Sequence, residues 1–504
     1  MNLIIVSIVI ALFLTYIFKV KRRRDIGRKI QGPRYVPLIG YVPLYFVSFE
    51  ETLPLLCRLQ SQFERFFKVW IGPEFWFVVY DPKLTEHILT DQKLKKSNDY
   101  KFLKPWIGNG LLTNEGKSWF AKRKTITPAF HFTILESFIE IFNNHSEILM
   151  KKFVTDEIIN VTPHLLLSAF NIICETSMGT QTNTEEQFTS EYIKAVRDVA
   201  EICYKRMFNP LLQSDFIFWC LKDYKIFYNS LDTIDKVTQA VINERREYFQ
   251  KDRVETENFE NPIESFDTNK KRKALLDILL TATVDGKPLS DAEIKDEVNT
   301  FLFAGHDTTA STLSFLLYNI AKYKDVQEKI YDEIEKELFE NGVIKKLTIN
   351  KLNNLTYLDL VIKESMRFHV TVPFIGRQTE GEYQLDNVLL PDNTNLTLYM
   401  YGMCHDHNLF PEPEKFIPER FATNYTTKEF NPFSYIPFSA GHRNCIGQKF
   451  ALLEMKTIVV KILEKFEISL AYPNKELILI AGMILKAKDD ISKPDRSKIS
   501  KKIY

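Results

Sequence analysis

The stretch FSAGHRNCIG, Phe438–Gly447, places a single cysteine among glycines and basic residues. Apolar residues after it recur at helical spacing, so Cys445 lies at or just before the N-terminus of a helix. Free amide groups and the positive helix end favour a thiolate there, and Arg443 adds positive charge. Gly441 and Gly447 lack a Cβ, which allows the backbone to approach a large flat group. A nucleophile, a metal ligand and a ligand of haem iron all fit this pattern.

The composition excludes several classes of protein. Lys and Arg total 66 and Asp and Glu total 65 in 504 residues, so the net charge of +1 lacks the basic excess of a nucleic-acid-binding protein. Apolar residues make up 45% of the chain, which is enough for a large globular core. The six cysteines include no Cys-x-x-Cys pair, which argues against a zinc ribbon, a thioredoxin-like site and c-type haem attachment.

The amino terminus has the pattern of a membrane anchor. Leu3–Phe18 is a run of sixteen residues without a charge, and the basic run Lys19–Lys29 follows it. A cleaved signal peptide would carry its positive charge before the apolar run, so the order favours an uncleaved transmembrane helix with its basic side in the cytosol. Prolines and glycines then predict a stiff connector. We divide the chain into an anchor at 1–20, a basic and proline-rich connector at 21–45 and a large globular domain at 46–504.

The globular part is expected to be mainly helical with a small separate sheet, which is an α+β fold. Aromatic and β-branched runs around a Gly-Pro pair predict a hairpin at Lys68–Tyr80. The region Glu115–Thr348 is mainly helical, and the capping-box pattern SDAE opens a long helix at Ser290–Tyr323. Further expectations are strands at Tyr383–Tyr399 and at Leu477–Leu485, where Gly482 suggests a turn or a close approach, and a polar surface loop at Lys251–Lys273.

The cysteine stretch resembles the haem-binding loop of the cytochromes P-450. That loop has the pattern Phe, two variable residues, Gly, one variable residue, Arg, one variable residue, Cys, one variable residue, Gly. Every fixed place is filled here, by Phe438, Gly441, Arg443, Cys445 and Gly447. The resemblance implies the cytochrome P-450 fold with one N-terminal transmembrane helix. It also implies a haem b cofactor with Cys445 as the axial ligand of its iron.

A second motif lies far from the first in the chain. Glu364 and Arg367, in KESMR, are one helical turn apart and can pair on one helix face. Together with Arg420 of PERF they resemble the family's buried network of one Glu and two Arg. Its role is structural, because it braces the cysteine loop.

The stretch AGHDTT, Ala304–Thr309, lies inside the long predicted helix and resembles the family's oxygen-binding groove. By this resemblance Thr308 holds a hydrogen bond to the iron-bound oxygen, and Asp307 helps to deliver protons from solvent. Gly305 opens space for oxygen and water. These three residues are the candidate catalytic residues.

Haem b carries two propionates, and Arg side chains suit carboxylates. The resemblance offers Arg443, Arg377 in PFIGRQT, and the pair Trp119 and Arg123 in WFAKR for this role. The spacing of that pair places both side chains on one face of a helix.

Three histidines and one further cysteine are set aside. Cys404 and His407, in MCHDH, have metal-like spacing, but the segment matches a structural turn of the family. His306 and His442 occupy variable places of their motifs, so neither is assigned to the iron.

Further motifs resemble the family-four cytochromes P-450: NIICETSMG, FAGHDTT, TVPFIGRQ and FSAGHRNCIGQKFA. That branch commonly hydroxylates fatty acids and related lipids. Many of its members have Glu at the place of Ala304, where it forms an ester to a haem methyl. Alanine offers no carboxylate, so the haem is expected to be bound non-covalently apart from the Cys445 ligation.

The resemblance implies a monooxygenase that inserts oxygen from O2 into a lipophilic substrate, on the cytosolic face of the endoplasmic reticulum membrane. The chain has no flavin fingerprint, so NADPH–cytochrome P-450 reductase is the expected electron donor, with cytochrome b5 as a second one. Candidates for a basic docking face are Lys117, Lys122, Lys124 and Lys449. Two alternatives are a P-450-fold isomerase or dehydratase and a non-catalytic haem-binding protein. The Asp307–Thr308 pair argues against both.

Overall fold

The fold is that of a computed structural model. The structure describes residues 20–36, 39–153, 158–180, 186–257, 274–284, 286–344, 346–423, 431–488 and 497–501. The predicted anchor at 1–20 therefore lies outside the described residues except for Val20. Among the helices of the described ranges, none combines the length and the apolar character that a membrane span requires.

The described part of the chain is mainly helical, as the sequence predicts. The helices are α1 (20–28), α2 (Phe49–Gln60), α3 (Pro82–Thr90), α4 (Lys104–Ile107), α5 (Gly116–Ile126), α6 (Phe132–Met150), α7 (Val161–Ile173), α8 (Glu186–Phe208), α9 (Asp215–Trp219), α10 (Lys222–Glu257), α11 (Leu275–Thr281), α12 (Asp291–Lys322), α13 (Lys324–Leu338), α14 (Ile349–Asn353), α15 (Thr356–Phe368), α16 (Met400–Cys404) and α17 (Gln448–Lys465).

The strands are short and form a small sheet and several hairpins. They are β1 (Phe66–Ile71), β2 (Glu74–Val79), β3 (Lys95–Lys96), β4 (Ile158–Ile159), β5 (Thr283–Val284), β6 (Lys287–Pro288), β7 (Phe339–Glu340), β8 (Val343–Ile344), β9 (Phe374–Gln378), β10 (Tyr383–Leu385), β11 (Val388–Leu390), β12 (Asn395–Tyr399), β13 (Phe466–Leu470), β14 (Leu479–Ile480), β15 (Lys486–Ala487) and β16 (Ser497–Lys501). The largest sheet has the order β1-β2-β12-β9-β3, with β12 parallel to β2 and antiparallel to β9. The predicted hairpin at Lys68–Tyr80 is confirmed as β1 and β2.

Helix α12 crosses the centre of the molecule. The side chain of Ser290 accepts a bond from the Glu293 amide at 3.3 Å, and the Glu293 carboxylate accepts one from the Ser290 amide at 3.0 Å. This capping box fixes the start of the helix where the sequence predicts it. The helix packs against α7, α15 and α17, and almost all of its middle is buried in the helical core. A second apolar core surrounds the five-stranded sheet.

The basic run after the predicted anchor contacts the globular domain. It forms α1, which packs on the sheet because the Arg23 guanidinium donates to the Asn393 carbonyl at 2.9 Å and lies over the Trp70 ring. The Lys68 ammonium donates to the Gly27 carbonyl at 2.7 Å. These contacts hold α1 against the globular domain.

One expectation needs correction. The surface loop predicted at Lys251–Lys273 begins too early, because α10 continues as far as Glu257; residues 258–273 lie outside the described residues. The strands predicted around a turn at Gly482 are confirmed as the hairpin of β14 and β15, although β15 lies just beyond the predicted end at Leu485.

Candidate active site

The middle of α12 has accessible surface in an otherwise buried helix. Ala304 is exposed and Thr308 is partly exposed, whereas Phe303, His306 and Asp307 are buried. Since α12 runs through the core, this accessible face borders an internal cavity. Helix α17, which follows the cysteine loop, packs against α12. The helix that follows the cysteine loop therefore lies beside the helix that carries the accessible face.

The Cys445 thiol is accessible, although protein surrounds it. The Cys445 amide donates to the Phe438 carbonyl at 2.9 Å, which closes the loop. Burial raises the pKa of the thiol, and the Gly447 amide and the Arg123 charge act in the opposite direction. The sequence led us to expect that Arg443 supplies the positive charge that favours the thiolate. In the structure Arg123 supplies it instead.

The two glycines of the loop have different roles. Gly441 has φ of +72°, and a Cβ there would collide with the Leu89 carbonyl oxygen. Glycine is therefore required at this position by the turn and by the close contact with α3. A Cβ on Gly447 would meet nothing within 4 Å. Only Gly447 fits the expected close approach to a flat group.

Three cations converge beside the loop. Lys96 on β3 and Arg377 on β9 are directly opposite each other in the antiparallel register. Arg443 donates to the Asn114 carbonyl at 2.9 Å and lies 4.2 Å from the centre of the Trp119 ring.

Burial lowers the pKa of all three cations. Cationic neighbours in the group lower the pKa of Lys96 and of Arg443 further, and that of Arg443 falls to about 10. Glu115 offsets only part of this charge. Like charges opposite each other in a sheet are destabilising, so this group favours a bound anion. The two carboxylates of haem b fit that requirement. Lys96 was missed from the sequence because a strand of two residues has no pattern that reveals its partner.

The predicted pair on α5 is only partly directed at an anion. Arg123 donates to the backbone carbonyl and to the side-chain oxygen of Asn444, at 2.9 and 3.0 Å. The single N–H of Trp119 donates to the Leu111 carbonyl at 3.1 Å. The Trp119 ring therefore supports the Arg443 guanidinium. The sequence led us to expect that the Trp119 N–H contacts a propionate, but this donor is already used by the Leu111 carbonyl.

The predicted ion network is present and buried. Glu364 accepts two bonds from Arg367, at 2.8 and 2.9 Å, and one from the Nε of Arg420 at 3.0 Å. Both guanidinium groups also donate to backbone carbonyls, including those of Cys404 and Pro411. The network thus ties α15 to the chain segment that leads to the cysteine loop.

The residues of AGHDTT divide between the cavity and the packing of α12. The Thr308 hydroxyl donates to the Ala304 carbonyl at 2.8 Å. A Cβ on Gly305 would lie 2.6 Å from the Ile173 side chain, so this glycine allows the close approach of α7 instead of opening space for oxygen. Asp307 is buried, and its Oδ1 lies 3.9 Å from the Lys486 ammonium.

The histidines and the cysteine that were not assigned to a metal have structural positions. The His306 ring is buried, with Nδ1 2.5 Å from the Leu302 carbonyl oxygen. Cys404 is buried, and His407 pairs with Glu414 at the surface. Within the described ranges, no group of three or more His, Cys, Asp or Glu side chains is arranged to hold a metal ion.

One of the four docking lysines was wrongly predicted. Lys122 is buried, and its ammonium lies 3.3 Å from Glu297, so it cannot form part of a docking surface. The remaining candidates are exposed: Lys117, Lys124 and Lys449.

An accessible thiol, an open side at Gly447 and a group of buried and partly buried cations together fit a haem held by a thiolate. Comparison with known proteins gives the same class. The sequence model described as "Cytochrome P450" matches residues 30–492. "Cytochrome P450 4d1" of Drosophila simulans is 36% identical over 504 residues, which cover 97% of each chain. "Cytochrome P450 4d2" of Drosophila melanogaster is 38% identical over 455 residues, 89% of this chain and 90% of the relative. "Cytochrome P450 4e5, mitochondrial" of Drosophila mettleri is 35% identical over 472 residues, 92% of this chain and 88% of the relative.

The chain belongs to the cytochrome P450 family. Proteins of this family bind iron protoporphyrin IX through a cysteine thiolate, and this chain is a cytochrome P450 monooxygenase. It uses O2, a redox partner and a small-molecule substrate.

Proposed function

We propose that the protein inserts one oxygen atom from O2 into a fatty acid or a related lipid, with electrons from NADPH–cytochrome P450 reductase. The observation that supports this most is the accessible thiol of Cys445 in a loop whose fixed residues match the family motif. The lipid class rests on the family-four motifs and on the family-four names of the relatives.

The residues of the site have separate roles in this proposal. When bound, the haem supplies the chemistry of O2 activation, favoured by thiolate electron donation. Cys445 is the iron ligand, and Arg377, Arg443 and Lys96 hold the propionates. Arg123 stabilises the thiolate through its charge.

Proton supply is the task of Asp307 and Thr308. The Thr308 oxygen keeps its acceptor sites while its proton is held by the Ala304 carbonyl, so the hydroxyl can pass a proton on by rotating. Asp307 lies one residue away, with one carboxylate oxygen that has no partner among the described residues. That oxygen is able to accept and return a proton.

We infer that the catalytic domain lies on the cytosolic face of the endoplasmic reticulum membrane. Large apolar side chains are exposed on two segments, Phe46 by 83%, Phe216 by 73% and Trp219 by 62%. Pro210, six residues before Phe216, lies near the segment of Phe46, because a Cβ on Gly72 would lie 3.3 Å from Pro210 and 3.9 Å from the Tyr45 hydroxyl. Exposed apolar groups of this size are typical of a surface that contacts lipid.

The topology has a direct test in the glycosylation acceptors. Of the five Asn-x-Ser/Thr sites expected to be unmodified, Asn144 and Asn354 are exposed, Asn160 is partly buried, Asn395 is buried, and Asn424 lies outside the described residues. A lumenal domain would carry glycans at the exposed pair. The cytosolic assignment predicts that Asn144 and Asn354 are unmodified in protein from its native source, and a glycan on either would reverse it.

The electron donor is proposed to dock near α5. Lys117 and Lys124 are exposed there, and Phe120 is exposed between them. Lys449 adds a charge at the start of α17. A basic surface with one aromatic group suits an acidic partner. Cytochrome b5, the second candidate donor, would use the same surface.

The proposal is tested with purified haem-loaded protein, the reductase and NADPH. The expected result is a hydroxylated lipid whose formation requires both O2 and NADPH. An isomerase or dehydratase would form product without either, and a non-catalytic haem protein would form none. A screen of fatty acids against foreign compounds, read from the shift of the haem absorption on binding, then identifies the substrate class.

A further inference from the structure

Helix α12 carries one half of a buried ion pair that the proposed mechanism does not use. Glu297 lies in the first half of this helix and has no exposed surface. Its Oε1 is 3.3 Å from the ammonium of Lys122 on α5, which is only 3% exposed. Burying two charges is costly, and such a pair is retained in some proteins for the geometry that it imposes on its surroundings. The groups that this pair contacts show which geometry it imposes.

The pair holds the loop of residues 108–114, which joins α4 to α5. Glu297 Oε2 accepts a hydrogen bond from the Leu111 amide at 2.9 Å. The Lys122 ammonium donates to the Asn109 carbonyl at 3.2 Å. The 108–114 loop is thus fastened to the first half of α12 by charged side chains as well as by apolar packing.

A second carboxylate of α12 supports the same attachment. Asp296 Oδ2 accepts a hydrogen bond from the Asn109 amide at 2.8 Å. Gly108 has φ of +48°, and a Cβ there would collide with the Asp296 carboxylate. The loop backbone therefore lies directly on α12, and its position depends on these contacts.

The same loop gives carbonyl groups to two residues of the proposed propionate site. The Leu111 carbonyl accepts a hydrogen bond from the Trp119 N–H at 3.1 Å. The Asn114 carbonyl accepts one from the Arg443 guanidinium at 2.9 Å, and the Trp119 ring lies 4.2 Å from that guanidinium. Leu111 joins the two sets of contacts, because Glu297 holds its amide while its carbonyl holds Trp119.

We propose that Glu297 and Lys122 are positioning residues of the haem site, which hold Arg443 against a propionate through the 108–114 loop and thereby raise the reduction potential of the iron. The proposal rests on the proposed function only in assigning Arg443 to a propionate. Reduction adds one negative charge to the haem, and a cation close to it favours the reduced form. When the loop loses its attachment to α12, Arg443 is held less closely and the potential falls.

Two substitutions of Glu297 separate the position of the carboxylate from its charge. Glu297→Asp keeps the charge but is one methylene shorter, so it no longer reaches the Leu111 amide and Lys122 together. Glu297→Gln keeps the length and removes the charge. The matched control is Glu293→Gln, one turn earlier on α12. Glu293 lies 3.9 Å from the same ammonium and is 43% exposed, and Gln at this position keeps the capping box.

The reduction potential of purified, haem-loaded protein is measured by spectroelectrochemical titration. Glu297→Asp is expected to lower the equilibrium constant for one-electron reduction about tenfold, the effect of one charge-assisted hydrogen bond, which corresponds to about 59 mV. Glu297→Gln should lower the potential as well, although the loss of a negative charge alone would raise it. Glu293→Gln should not lower it. If Glu297→Gln does not keep its haem, Glu297→Asp decides.

Two further measurements show whether the effect passes through the 108–114 loop and Arg443. Hydrogen exchange of the loop amides, followed by mass spectrometry, should be faster in Glu297→Asp than in the parent or in Glu293→Gln. Arg443→Met should itself lower the potential, and Glu297→Asp should lower it no further in that background. If Arg443→Met loses its haem, that loss supports its place in the site, and the exchange of the loop decides the proposal.

Several outcomes would contradict the proposal or the function on which it rests. A potential that falls in neither Glu297 variant overturns the proposal, even where stability is lost, because the pair is then only structural. Unchanged exchange of the 108–114 loop in Glu297→Asp, or an equal fall of the potential in the Arg443→Met background, also overturns it. If Arg443→Met has the potential of the parent, the propionate assignment in the proposed function is wrong instead.

Discussion

Replacing Glu364 with Ala removes the only carboxylate of the buried ion network. Arg367 and Arg420 would keep their bonds to backbone carbonyls, but two buried guanidinium charges would lose their counterion. Removing one partner of a buried pair costs about 3–5 kcal/mol. That is a large part of the ~5–15 kcal/mol by which proteins of ordinary stability are folded. We therefore expect Glu364→Ala to lower the free energy of unfolding by that amount.

The assay is urea unfolding of haem-loaded protein, followed by circular dichroism. The control is Glu419→Ala, in the same PERF segment, because Glu419 pairs with Lys329 at the surface. Exposed pairs contribute about 0–1 kcal/mol, so this variant should unfold almost as the parent does. If the two variants lose the same stability, the buried network does not brace the fold as described.

Three further predictions concern the cavity. Thr308→Ala should keep its haem but divert electrons from product to hydrogen peroxide, because the hydroxyl that orients the proton is lost; unchanged coupling of NADPH to product would give Thr308 another role. Acidic organic extraction should release all the haem, since Ala304 offers no carboxylate for an ester; haem that stays with the chain would show that another carboxylate forms the link. Lys96→Met should lower haem retention about tenfold, the effect of one charge-assisted bond of roughly 1.5 kcal/mol. Lys95→Met, which removes an exposed lysine next to it, should not; equal retention in both variants would remove Lys96 from the propionate site.

The elements that carry a local signal were predictable from the sequence. The capping box at Ser290 fixes the start of α12 because it satisfies amide groups within one turn. The Gly-Pro turn between two aromatic runs defines the first hairpin for the same reason, since its information lies within a few residues. The motif around Cys445 identified the class of site because it spans only ten residues.

What the sequence did not predict depends on contacts between distant segments. Lys122 has the composition of a surface lysine, and only its burial against Glu297 shows otherwise. Lys96 becomes part of the site through its register with Arg377, which a strand of two residues does not reveal. Gly305 lies in a motif for a groove, but the packing of Ile173 decides its role.

The central claim is that the Cys445 thiolate is the axial ligand of the haem iron. The most direct measurement is the absorption spectrum of the reduced protein with carbon monoxide, recorded for the parent and for Cys445→His. The parent should absorb at the position typical of a thiolate-bound haem, and the variant, if it keeps haem, should lose that band. A variant with an unchanged spectrum would contradict the assignment of Cys445.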